Sequence, residues 1–136
     1  MSIFDKLFGS KCFPDPYQTE AQFETNLARQ VSMARQGLAQ LREYEGRELR
    51  LEFYFYTNNS ANAEVLNSKI VKLGYESQSG ESVDDPALFV TTGWTTPIRV
   101  DEATVINWIE TMCRLSFAND ALFDSNRGAH KLRKRQ

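Results

Sequence analysis

Two cysteines, one histidine and four prolines in 136 residues leave little from which to build a metal centre or a disulfide framework. Cys12 and Cys113 are far apart in the chain and form no Cys-x-x-Cys pair, which suits a reducing compartment better than a secreted scaffold. The single histidine, His130, lies in a basic stretch, away from any cysteine or carboxylate cluster, so no zinc or iron site is expected. There are nowhere 18 consecutive apolar residues, and residues 1–8 hold no apolar run long enough for a signal peptide. The expectation is a cytoplasmic protein with no membrane span. Glycine-rich phosphate cradles of either common spacing are absent, and Leu73-Gly74-Tyr75 reads as a helix stop. No cofactor is expected.

What is present is a core's worth of hydrophobic residues, 41% of the chain with 12% aromatic, in a length suited to one domain with tails. A net charge of -2 conceals a division. Residues 48–124 carry twelve acids against five bases, a net of -7, whereas residues 127–136 carry five bases and no acid. Such opposite blocks read as an acidic domain joined to a solvated basic stretch, and the natural partner of the domain is a basic one.

Thr19 with Gln22 three residues on forms a capping-box signal. Phe23, Leu27, Val31, Ala34, Leu38 and Leu41 then recur at steps of three and four, which predicts an amphipathic helix over 19–46 ended by Gly46. Residues 49–56 alternate, with Leu49, Leu51, Phe53 and Phe55 on one side and Arg50, Glu52, Tyr54 and Tyr56 on the other, the pattern of a half-buried strand. Asn58, Asn59 and Ser60 supply caps for a helix carrying Ala63, Leu66, Ile70 and Leu73 and stopped by Gly74. A short strand over 75–78, an acidic loop over 79–86 and a second central strand over 87–94 follow, with Pro97 limiting the last. Asp101 caps a helix to about Leu115 that carries Val105, Ile106, Trp108, Ile109 and Met112, and a short strand over 121–123 closes the series.

The fold class expected is therefore α+β: a ferredoxin-like βαββαβ unit over 47–125, its four-stranded antiparallel sheet preceded by the long helix, with segment 1–18 before it and basic tail 126–136 after it. Both later helices fall on one face of that sheet. The other face is expected to present Tyr54, Tyr56 and Phe89, covered either by the first helix, which is the favoured arrangement, or by a homodimer or partner contact. Trp94 is placed in the core by a small margin, and Ile3, Phe4, Leu7 and Phe8 read as a segment docking on its own domain rather than on a lipid surface.

No side chains converge on catalytic chemistry. His130 is badly placed to activate a nucleophile, and Cys113 beside Met112 and Leu115 reads as a small core residue. Asp84 with Asp85 sits in a turn, and Asp101 with Glu102 opens a helix, where acids complement the dipole. The protein is expected not to be an enzyme. An RNA-binding reading rests on Tyr54, Tyr56 and Phe89 as a stacking platform, but Glu52 on the same face and the -7 charge oppose phosphate contact, which leaves the basic tail as the route to nucleic acid.

The stretches Phe53-Tyr54-Phe55-Tyr56-Thr57, Leu73-Gly74-Tyr75-Glu76, Thr92-Gly93-Trp94-Thr95-Thr96 and Asp120-Ala121-Leu122-Phe123-Asp124, with Trp108 and Met112, occur in an order and spacing that resembles the RraB family, protein inhibitors of the bacterial endoribonuclease RNase E. The resemblance runs from Leu49 to Asp124. It implies a ferredoxin-like domain that acts by protein contact, with the basic scaffold region of RNase E or another basic segment as partner. Asp84, Asp85, Asp101, Glu102, Asp120 and Asp124 then form the acidic contact surface, and Tyr54, Tyr56, Phe89 and Trp94 the apolar anchors. Departures from the family pattern are Ser125-Asn126-Arg127-Gly128 after the last motif, where Gly-Trp-Gly is frequent, and a basic tail where some members have an acidic one.

Overall fold

A computed structural model describes residues 16–125; segment 1–15 with Cys12, and stretch 126–136 with His130 and the five bases, lie outside the described residues. Helix α1 spans Glu20–Gln40 and begins with the full capping box. The Gln22 amide donates to Thr19 Oγ1 at 3.2 Å, and the Thr19 amide donates to Gln22 Oε1 at 2.8 Å. The helix stops at Leu41, and a short 3-10 turn, Arg42–Tyr44, follows. Gly46 is not the helix stop that its type suggests. At φ +83° it turns the chain toward strand β1, Glu48–Leu49, and its amide donates to the Val100 carbonyl at 2.8 Å.

The remaining elements are β2 (Glu52–Thr57), α2 (Ser60–Lys72), β3 (Glu76–Glu81), β4 (Phe89–Trp94), β5 (Ile98–Arg99), α3 (Glu102–Ala118) and β6 (Leu122–Asp124). The alternating run 49–56 is thus broken at Arg50 and Leu51. Thr95 causes the break: its hydroxyl accepts the Leu51 amide and its own amide donates to the Leu51 carbonyl, both at 2.9 Å. The four longer strands form an antiparallel sheet in the order β3-β4-β2-β6, and β1 pairs separately with β5. The protein is an α+β fold with three described helices and antiparallel sheets.

Both later helices start where the sequence places their caps. Asn59 Oδ1 accepts the Asn62 amide at 3.0 Å, and Asp101 Oδ1 accepts the Thr104 amide at 2.8 Å. They cover one face of the sheet. There Phe53, Phe55 and Phe123 are buried against Leu66 and Ile70 of α2 and Trp108, Ile109 and Met112 of α3. Phe55 and Phe123 lie 5.2 Å apart, and Trp108 meets Phe123 edge-on at 5.7 Å and 88°. Each such side chain withdrawn from water contributes about 1.5–3 kcal/mol.

Helix α1 does not cross the other face, as the sequence favoured. It runs along α3, with Phe23 stacked on Phe117 at 4.8 Å and Leu27, Val31, Ala34 and Leu38 leaning on the same core. Two buried amides, Asn26 and Gln30, explain the choice. Asn26 Nδ2 donates to the Phe123 carbonyl at 2.8 Å, while Gln30 Oε1 accepts the Ser125 amide at 3.0 Å and its hydroxyl at 2.8 Å. They satisfy the outer edge of β6, which would otherwise be an open template for another strand.

Candidate functional site: the second face of the sheet

Strand register decides which residues share the face opposite α2 and α3. In β2 these are Glu52, Tyr54 and Tyr56, which stand directly across from Trp94, Thr92 and Val90 of β4. Glu76 and Gln78 of β3 stand across from Trp94 and Thr92, and Asp124 and Leu122 of β6 across from Tyr54 and Tyr56. Hydrogen bonds fix the parity. Ser79 Oγ and Thr91 Oγ1 both reach the Ala63 carbonyl of α2, so the odd positions of β3 and β4 face the helices. Phe89 pairs with Thr57 and Glu81 and therefore belongs to the helix face, not beside Tyr54 and Tyr56. Alternation gives two sets of residues, but assigning Phe89 to one of them needs the register.

The tyrosines are not an exposed platform. Tyr54 is 2% and Tyr56 5% exposed, and with fully buried Val90 and partly buried Leu88 they form a small cluster separate from the main core. Burial, reinforced by the Glu52 carboxylate, pushes the Tyr54 hydroxyl pKa well above the ordinary phenol range. The large aromatic that does reach solvent is Trp94, 41% exposed, the residue the sequence placed in the core. It stands at the end of β4, between Glu52 on one side and Glu76 on the other. Arg50 spans the same end of the sheet: Nε donates to the Thr95 carbonyl at 2.9 Å, and Nη2 pairs with Glu76 Oε2 at 2.8 Å.

The acids picked from the sequence separate into three groups. Asp84 is exposed and Asp85 half-buried in the β3–β4 loop, where Asp85 Oδ1 accepts the Ala87 amide at 3.0 Å. Asp101 and Glu102 lie beyond the opposite end of β4, and both are engaged. Asp101 pairs with Arg99 and Glu102 with Arg35, each at 3.0 Å. The Thr104 amide, with Arg99 assisting, holds the Asp101 carboxyl below its usual range. Asp120 and Asp124, 4% and 1% exposed, leave the surface altogether. Asp120 adopts φ +55° and its carboxylate takes the amides of Tyr17 (2.8 and 3.0 Å) and Gln18 (3.2 Å), fastening the chain ahead of α1 to the start of β6. A clip across some hundred residues leaves no local signal in the sequence. The acidic set is therefore not one continuous surface, whereas Glu52, Trp94 and Glu76 are brought together in one row.

Cys113 is 1% exposed, and burial pushes its thiol up to about 12, so it stays protonated and inert. An open groove of about 610 Å³ follows α1 and α3 past Leu27, Val31, Arg35 and Glu110, but its rim mixes both charge signs. Among the described residues no group of three or more His, Cys, Asp or Glu could hold a metal, and no helix is long and apolar enough to cross a membrane. Compared with protein-family models, curated proteins and solved structures, the chain matches none.

Proposed function

We propose that this chain is a non-enzymatic regulator with a ferredoxin-like domain of the RraB kind, which binds a basic segment of RNase E or a related RNA-degradation partner and lowers its activity. With the separate β1–β5 pair set aside, the main-sheet succession strand, helix, two strands, helix, strand, with β2 and β4 central in the order β3-β4-β2-β6, supports the ferredoxin-like reading. One observation carries the binding reading: a Trp94 indole, 41% exposed, set between the Glu52 and Glu76 carboxylates. An arginine or lysine side chain arriving there meets a π face and the Glu52 carboxylate, and competes with Arg50 for Glu76. The chain supplies its own example, since the Arg50 guanidinium is already held by Glu76. Asp84 and Asp85 at the far end add to the acidic field and speed the encounter with a cationic chain.

The alternative, an RNA-binding module, draws little support from a face whose tyrosines are buried and whose exposed indole is flanked by carboxylates. The test is a calorimetric titration with the purified basic scaffold segment of RNase E, beside a titration with a single-stranded oligonucleotide. Association with the scaffold is expected at low ionic strength, weakening as salt is added. No heat with the scaffold at low salt overturns the reading, and heat with the oligonucleotide alone replaces it with the second.

A further inference from the structure

The main sheet ends in two edges, and they are treated differently. At β6 the side chains of Asn26 and Gln30 meet the outer main-chain groups. The β3 edge has no such cover. The Ser82 amide donates to the Leu88 carbonyl at 2.9 Å, and the register runs unbroken from there back to Glu76 and Trp94. The even residues of β3 therefore spend their main-chain groups on β4, and the odd residues Ser77, Ser79 and Glu81 turn theirs outward. Among the described residues, no hydrogen bond meets those outward groups.

Six residues of edge strand without proline or lysine form an open template for another strand. Charge sets what it selects. Residues 73–98, which include β3, β4 and their loop, hold Glu76, Glu81, Asp84 and Asp85 and no base. A second copy brings the same acids and a nucleic acid brings phosphates, and like charges along a ladder are destabilising. A cationic extended polypeptide brings the opposite sign. Arg50 already holds Glu76 at one end of the strand, while Glu81 at the other end is exposed and forms no ion pair among the described residues. Position adds to charge. The row Glu52, Trp94, Glu76 runs across the sheet and reaches the open edge at Glu76, so a residue added opposite Glu76 is the next in that row, two strand spacings or about 10 Å from Trp94.

We infer that a basic, extended segment of a protein partner docks as a fifth strand on β3, its main chain on the outward groups of Ser77, Ser79 and Glu81 and a lysine or arginine opposite Glu76 directed toward the Trp94 indole. This rests on the basic partner proposed above and adds how that partner is held. Main-chain bonds supply the affinity, and alternate cationic side chains supply the selection.

The test reads main-chain amides one at a time in the isotope-labelled full chain. With a saturating short peptide that alternates lysine and valine, exchange of the Ser77, Ser79 and Glu81 amides is expected to slow more than tenfold, while the Gln78 and Gly80 amides, already engaged with β4, are unaffected. Ser79→Pro removes one outward donor and no bond to β4, so peptide affinity by calorimetry should fall at least tenfold. Ser79→Ala, which keeps the amide, should change it less than twofold. Glu81→Lys, which keeps every main-chain group should the proline variant unfold, is expected to weaken the peptide severalfold. No binding at low ionic strength, binding without slower exchange at the three amides, or equal binding of a peptide alternating glutamate and valine overturns the inference. The basic scaffold segment of RNase E, titrated in parallel, keeps the two readings apart. Heat from the scaffold with unchanged exchange removes the fifth strand and leaves the regulator. Slower exchange with the peptide but no heat from the scaffold removes the regulator and leaves the strand.

Discussion

The two faces of the main sheet are built by different rules. The helix face closes with large apolar residues contributed by β2, β6, α2 and α3, whereas the second face interleaves aromatics with carboxylates and ends in an exposed indole. The helix face buries few polar groups, and the Ser79 and Thr91 hydroxyls on it are satisfied by the Ala63 carbonyl, so its main requirement is volume. The second face instead buries the Tyr54 phenol beside the Glu52 carboxylate, and both burial and that charge keep the hydroxyl protonated. The contrast puts the main core on the first face and the exposed indole on the second.

The largest effect that could break this contrast is expected on the helix face. Phe123→Ala removes a ring that is fully buried and touches both Phe55 and Trp108, and should cost about 3–5 kcal/mol by denaturant unfolding. A loss below about 1 kcal/mol would mean that the core is not centred there. Gly93→Ala comes next. A Cβ at Gly93 would fall 1.8 Å from the Glu76 carbonyl oxygen, a backbone atom that can retreat only by parting β3 from β4. A cost of about 3 kcal/mol is expected, with weakened amide protection in β3.

Alkaline pH sharpens the comparison, because each face buries a group that resists ionisation. Cys113 on the helix side is held up to about 12 from an ordinary 9.0, chiefly by burial. Tyr54 on the second face is raised from 10.0. The unfolded chain loses these protons first, so their contribution is fully present below pH 9 and declines as pH climbs from 9 toward 12. Denaturant midpoints of the parent protein should fall over that window. Cys113→Ala should decline less steeply, and an unchanged slope would show that the thiol is open to water.

Legibility followed locality. Thr19 with Gln22, Asn59 and Asp101 act within one helical turn; the first and last caps are where the sequence puts them, and Asn59 is one of the three candidates it offers for the second helix. The alternation through Phe53 and Phe55 likewise assigns those residues to the core. What escaped reading depends on partners far along the chain. Asn26 and Gln30 look like members of a polar stripe until β6 arrives to use them, and Asp120 looks like a surface acid until Tyr17 and Gln18 come back to it. For Phe89 the parity was ambiguous, and for Trp94 a β-prone neighbourhood concealed its position at the last residue of β4, where the sheet no longer shields it. The row Glu52, Trp94, Glu76 joins three strands, and only Glu52 shows from its alternation with Tyr54 which face it shares.

The smallest effect on stability is expected at Trp94, the residue on which the proposed contact rests. Trp94→Ala empties an exposed site at a strand end, so unfolding should shift by no more than about 0.5 kcal/mol. If the second face recognises a basic segment through that indole, affinity should fall at least tenfold, about 1.4 kcal/mol, in the same protein. The combination separates contact from folding. A stability loss of about 3 kcal/mol would return Trp94 to the core, and an unchanged affinity would move the contact to the Asp84–Asp85 end of the sheet. Pairing this variant with Phe123→Ala, which should weaken folding while leaving the affinity of the surviving folded molecules intact, tests both halves of the division of labour at once.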